Sequence, residues 1–387
     1  MAKLGEAYEP LAEVRKELKV KWIRLNIDQE KLRELNKRND MQGWIQSLGH
    51  LGIWVVTGAF VYYFWAHEIW FAFLVALFLH GTVASFFVGI APHELGHRTV
   101  FKTKSLNQVF LYIYSCLGWW DQFDYAASHT YHHRYTLHPE GDRENLLPIS
   151  PLVGPFFLVQ LLTINLLTQP GRTFGKGGLI STIYHTILGA FGRVGSTDIP
   201  SQEWLEALHE DQPDQYKNTI WWDRVLLLFH GTVILASFLS GYWVFAFIIS
   251  FSPFIGNWGS YALGMTQHCG LKENDNDFRK VTRSVKVNPL AEFLYWRMNW
   301  HTEHHMFAGI PCYNLKKLYH EIADQMPEPR TLVEAWKEMR DTWAKQQEDP
   351  DYYFDTPVPP VAESKRARPR DEDLEGSIGD LAPKGLM

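Results

Sequence analysis

WFAFLVALFLHGTVASFFVGIAPHELGH, residues 70–97, decides the fold. From Trp70 to Pro92 it contains no Asp, Glu, Lys or Arg, and such a run is long enough to cross a hydrocarbon core of about 30 Å. It ends in His93-Glu94-Leu95-Gly96-His97. A continuous helix over these 28 residues would reach roughly 42 Å at about 1.5 Å per residue. The stretch therefore predicts a span whose histidines project just beyond the bilayer.

Gly43–Trp65, on its N-terminal side, is also free of charged residues, and only Ala66-His67-Glu68-Ile69 separates the two runs. That predicts a tight helical hairpin. Far downstream, Val225–Met265 is uncharged over 41 positions and divides near Ser240-Gly241, predicting a second hairpin. Composition agrees: 46% hydrophobic and 15% aromatic residues suit a bilayer protein better than two or three soluble domains. The expected fold is an all-α integral membrane protein with four transmembrane helices in two hairpins and a histidine-rich cap. Lys and Arg crowd residues 1–42 and are absent from both hairpin tips, so the positive-inside rule puts that cap in the cytosol.

The chain divides into a charged N-terminal segment (1–42), a membrane domain (43–345) and a Pro-rich, charged tail (346–387) expected to be disordered. Leu106–Trp120 is too short for a span and reads as an interfacial or re-entrant helix. The Pro-containing run Leu146–Pro170 and Gly178–Gly192 read as membrane-surface segments, with an extra hairpin as the alternative. Leu315–Met339 reads as amphipathic. Cys116, Cys269 and Cys312 are scattered, which implies neither a disulfide framework nor a zinc finger. The net charge of -6, with no basic stripe, gives no reason to expect nucleic acid.

The chemistry lies in the histidines. Eight of 17 fall in three clusters: His93 and His97; His129, His132 and His133; His301, His304 and His305. On helices, residues at i, i+3 and i+4 share a face. Adjacent histidines diverge by about 100°, so they can reach two different ions. Neutral imidazole suits Zn, Cu, Fe and Ni, and eight nitrogens are too many for one ion. Two metals is the natural count. Asp124, Asp142, Glu144, Asp277 and Glu303 are candidate acceptors for the ring N–H groups. Because ligation needs neutral rings, metal binding should weaken below about pH 6. His50, His67, His80, His185, His209, His230 and His320 read as structural, while His138 is left open. Trp119, Trp120 and Tyr125 are candidates for lining a substrate entrance.

H-x-x-x-H after a span, H-x-x-H-H in the next polar stretch and H-x-x-H-H after the last span resemble the three histidine boxes of the membrane fatty acid desaturase and hydroxylase superfamily. Asn288-Pro289, Phe293-Leu294-Tyr295-Trp296, NWHTEHHMF (299–307) and Ile310-Pro311-Cys312-Tyr313-Asn314-Leu315 are similar to the end of many such proteins. The resemblance covers roughly residues 44–330. It implies a non-haem centre of two Fe ions that uses O2 and external electrons to remove hydrogen from an acyl chain of a fatty acid or lipid, with hydroxylation as the alternative outcome. By position it implies His93, His97, His129, His132, His133, His301, His304 and His305 as ligands, with His268 as the extra histidine before the third box. It further implies a separate electron donor, cytochrome b5 or ferredoxin with its NAD(P)H reductase, since the sequence carries neither His-Pro-Gly-Gly nor C-x-x-C. The location would be the endoplasmic reticulum of a eukaryote or the inner membrane of a bacterium.

Two non-oxidative readings compete. HELGH fits the H-E-x-x-H zinc protease motif, with Glu94 as base, but the sequence has no Asp-Gly dipeptide and six clustered histidines are left over. A metal transporter would need polar residues spread through the spans, where they are sparse.

Overall fold

Asn39 starts the first long helix: its side chain accepts the N–H groups of Met41 and Gln42, and Asp40–Ala66 follows as 27 residues of helix. Val55, Val56, Phe60 and Tyr63 face outward from it, as lipid-facing residues must. The turn at His67–Ile69 closes with Ile69 N–H donating to Phe64 O at 2.9 Å, and Trp70–Ala84 runs back. The computed structural model describes residues 8–145, 151, 153–167, 177–194 and 201–361.

Residues 70–97 are not one continuous helix. A 3-10 turn at Ser85–Phe87 is followed by extended Val88 and by Gly89 at φ 77°, and a new helix runs Ile90–Gly96. Pro92 has no N–H to offer Val88, so it fits only in the first turn of a restarted helix. The break turns His93 and His97 away from the direction that a straight helix would give them.

Among the described residues, three helical stretches are long and apolar enough to cross a membrane: Asp40–Ala66, Trp70–Gly96 and Pro213–Leu239. The third starts at Pro213, well before the uncharged run at Val225, because proline suits a first helical turn. The expected fourth span is instead a broken run: a π-helical stretch Ala246–Phe251, a 3-10 turn Ser252–Phe254 and a short helix Trp258–Gly264. Pro253 and Gly256, the latter at φ 55°, account for the interruption. Both tips lie at one end of the molecule, where Trp65 meets Tyr242 at 5.9 Å and Trp243 at 5.8 Å.

The connecting helices are shorter than a bilayer requires. Lys104–Leu117 buries Phe110 and Tyr114 and exposes Val109 and Ile113. Pro155–Leu162 and Leu179–Ala190 have 8 and 12 residues. The C-terminal amphipathic region splits into Cys312–Ile322 and Leu332–Gln346, with Pro327 and Pro329 between them.

Neither end of the described chain stands apart. Leu11, on the short helix Leu11–Glu17, packs with Tyr131, Tyr135 and Trp204, and Leu25 and Leu35 join the main core around Phe87, Leu95, Phe101, Trp296 and Leu315. Residues 347–361 lie along the body: Phe354 N–H donates to Gly270 O at 2.8 Å, and Arg279 Nη1 donates to Pro359 O at 2.8 Å. The expectation of disorder for 362–387 falls outside the described residues.

Candidate metal centre

Four segments converge at the end away from the tips. His93 and His97 come from the restarted Ile90–Gly96 helix and its C-cap. His129, His132 and His133 come from the helix Gln122–Tyr135, whose N-terminus is fixed by Asp121 Oδ1 accepting the N–H groups of Phe123 and Asp124. His301, His304 and His305 lie on His301–Met306, and His268 follows Trp258–Gly264. All nine are buried.

Their ring nitrogens form two groups. His93, His97, His129, His133 and His304 make one; His132, His268, His301 and His305 make the other; within each, potential ligand atoms lie within 4.8 Å of one another. His132 and His133 part company, as do His304 and His305. The roughly 100° step between helical neighbours sends adjacent rings to different groups.

The Nε2 atoms approach closely: His97 to His129 at 3.3 Å, His133 to His304 at 3.2 Å, His268 to His301 at 2.9 Å and His301 to His305 at 3.1 Å. Nitrogens about 2.1 Å from one metal, at 90–105° to each other, would be about 3.0–3.3 Å apart. The rear of four of the rings supports the same reading. Nδ1–H of His129 faces Glu144 at 3.4 Å, that of His132 donates to Asp142 at 2.9 Å, and that of His268 donates to Val281 O at 2.9 Å. Thr136 Oγ1, which donates to His132 O, is left to accept from His305 Nδ1 at 3.1 Å. With Nδ1 carrying the proton, Nε2 presents a bare lone pair, and lone pairs facing each other at 3 Å require a cation between them. His93 Nε2 is buried with no partner among the described residues. The buried clusters fit a metal site on these grounds.

Burial sets the protonation. It pushes the rings of His97 and His268 down to about 3 and those of His129, His133, His301, His304 and His305 well below the usual range. These rings are neutral at pH 7, as ligands must be. His132 differs: burial lowers it, but the carboxylates of Asp142 and Glu144 outweigh that, and the ring is raised. Burial also raises Glu144 and Glu303 to about 7.

Of the five carboxylates expected behind the rings, the structure places Asp142 and Glu144 there. It places three elsewhere. Asp124 accepts from His209 Nε2 at 2.8 Å and Thr219 Oγ1 at 2.8 Å; Asp277 pairs with Arg279 at 2.6 Å; Glu303 accepts from Ser284 Oγ at 2.6 Å. In their stead stands Glu94, fully buried, its Oε1 3.1 Å from His93 Nδ1 and 3.4 Å from His304 Nδ1. That position, behind the rings and away from Nε2, is wrong for a base acting on metal-bound water. The same helical step that separates adjacent histidines carries Glu94 to the rear of His93. His138 turns to Tyr135 O and Thr136 O, and His50, His80, His209 and His230 bond to groups outside the centre. Tyr125 stacks on His129 at 4.8 Å and meets Trp120 at 5.0 Å, while Trp119 stacks on His230 at 3.9 Å.

No curated protein matches the chain. The family model for fatty acid desaturases matches residues 68–336. That match begins at the turn before the second apolar helix, takes in all nine converging histidines and ends in the last amphipathic helix. Membership in that family makes the protein an oxidoreductase: this chain belongs to the fatty acid desaturase family.

Proposed function

We propose that the protein is a membrane-bound non-haem di-iron enzyme that desaturates an acyl chain of a fatty acid or lipid. The observation that carries this is the division of nine buried histidines into two adjacent all-imidazole groups within the family match. His93, His97, His129, His133 and His304 would hold one iron, and His132, His268, His301 and His305 the other. When bound, the two irons supply the reduction of O2 and the removal of hydrogen from an unactivated C–H bond. The reaction balances as R–CH2–CH2–R′ + O2 + 2 electrons + 2 H+ → R–CH=CH–R′ + 2 H2O.

The chain's own residues keep the rings neutral, fix their tautomers from behind through Glu94, Asp142, Glu144, Val281 O and Thr136, and exclude bulk water. The electrons come from a separate ferredoxin or cytochrome b5 with its NAD(P)H reductase. The broken run 242–265 is the fourth crossing in this reading, with both tips opposite the cytosolic centre, in the endoplasmic reticulum or a bacterial inner membrane according to the host.

Metal analysis with Mössbauer spectroscopy on detergent-purified protein tests the reading. Two irons per chain are expected, and a His304→Ala, His305→Ala double variant, which removes one ligand from each group, should lose them. One zinc and no iron would overturn it. Lipid analysis of an expressing host then separates a new double bond from a new alcohol, the hydroxylase outcome.

A further inference from the structure

Beside the first histidine group lies a cavity of about 40 Å³ whose lining runs from His93, His97 and His129 to half-buried Arg98 and Gln108. Gln122 forms part of its wall. It sits two turns before His129 on the same helix, and spacing at i, i+3 and i+7 puts Gln122, Tyr125 and His129 on one face. The Gln122 side chain is 4% exposed, yet neither its Oε1 nor its Nε2 has a partner among the described residues. A buried amide left so is costly and calls for a bound polar molecule.

Size and chemistry select that molecule. The cavity of about 40 Å³ holds roughly two or three waters. An amide offers one acceptor and two donors, which matches water, itself both donor and acceptor. We propose that this cavity is a water chamber through which protons reach the first histidine group and product water leaves it, with Gln122 as its positioning residue. The inference rests on the di-iron reading, whose reaction takes up two protons and releases two waters for each O2 reduced by substrate and donor electrons. The five rings of that group are otherwise closed to solvent. Gly96 also lines the cavity, and a Cβ built there meets nothing within 4 Å, so the position has open space for a side chain.

The test uses full-length iron-loaded protein in detergent and sodium azide as a small anionic probe, titrated by its charge-transfer absorption. Gln122→Leu removes the amide, Gly96→Leu fills the space and Gln122→Asn keeps an amide. Both leucine variants should retain wild-type iron content while binding azide about tenfold or more weakly, and the asparagine variant should stay within about threefold of wild type. A cryo-EM map of the wild type should show density within hydrogen-bonding distance of the Gln122 amide. Unchanged azide affinity in iron-replete leucine variants, or an empty chamber in the map, overturns the proposal and leaves the di-iron reading standing. Iron loss in all three variants also overturns it, by assigning Gln122 to holding the rings in place. Absence of iron from the wild type overturns both.

Discussion

A single carboxylate behind a ring distinguishes an acceptor for a ligand from a bystander. Asp142 accepts from His132 Nδ1 and also takes the N–H groups of Leu137 and Glu144. Asp142→Asn keeps the volume but removes the charge, and should weaken metal binding at the four-histidine group by about 10–100-fold. Asp124→Asn, which touches His209 and Thr219 instead, should leave metal content unchanged; metal titration of the two variants decides. The buried rings also set a pH response. His97 and His268 fall from 6.5 to about 3 in the folded state, so the unfolded chain takes up their protons first as pH drops. Their contribution to stability is full above 6.5 and erodes as pH falls toward 3. His132, raised by its carboxylates, and Glu144 and Glu303, raised by burial to about 7, oppose this, three groups against seven lowered rings. Metal-free protein should therefore show a melting temperature that falls steadily from pH 7 to pH 5, which differential scanning fluorimetry can follow. The structure brings together all nine histidines named from spacing and family resemblance. Glu94 was not read as an acceptor, because H-E-x-x-H drew attention to the front of the rings, while the structure uses it at the rear.

Between elements, the decisive contact is the approach of Gly81 to the turn after Ser252–Phe254. A Cβ at Gly81 would lie 2.1 Å from the carbonyl oxygen of Ile255. Gly81→Ala must push the second apolar helix away from the broken fourth run, and should cost about 1–3 kcal/mol. Gly52→Ala is the control, since a Cβ there meets nothing within 4 Å; unfolding of both in mild detergent provides the comparison. The three long apolar helical stretches were visible in charge-free runs, but the interruptions of those runs were not. Hydropathy does not register φ, and the signs were single residues: Gly89 and Pro92 in one run, Pro253 and Gly256 in the other. The interruptions matter because the first one aims His93 and His97.

For the whole molecule, the expected outcome concerns sidedness. With the protein expressed in a bacterial host, in a background lacking Cys116, Cys269 and Cys312, an impermeant maleimide applied to intact cells should label His67→Cys and Ser240→Cys. Glu30→Cys should react only after lysis, and the reverse pattern would invert the proposed orientation. Composition marked residues 1–42 and 346–387 as polar ends. It concealed that a few side chains, Leu11, Leu25, Leu35 and Phe354 among them, fasten the described parts of both to the body, since so few apolar residues barely alter an average. The interleaving of the histidine groups has a further consequence, in time. His304 completes the first group, and His268, His301 and His305 are three of the four members of the second. A chain still on the ribosome at codon 300 holds four rings of one set and only His132 and His268 of the other. The first set is complete only at residue 304 and the second only at residue 305, after every apolar run in the sequence. A message cut short before codon 301 therefore yields a chain in which neither histidine group is complete.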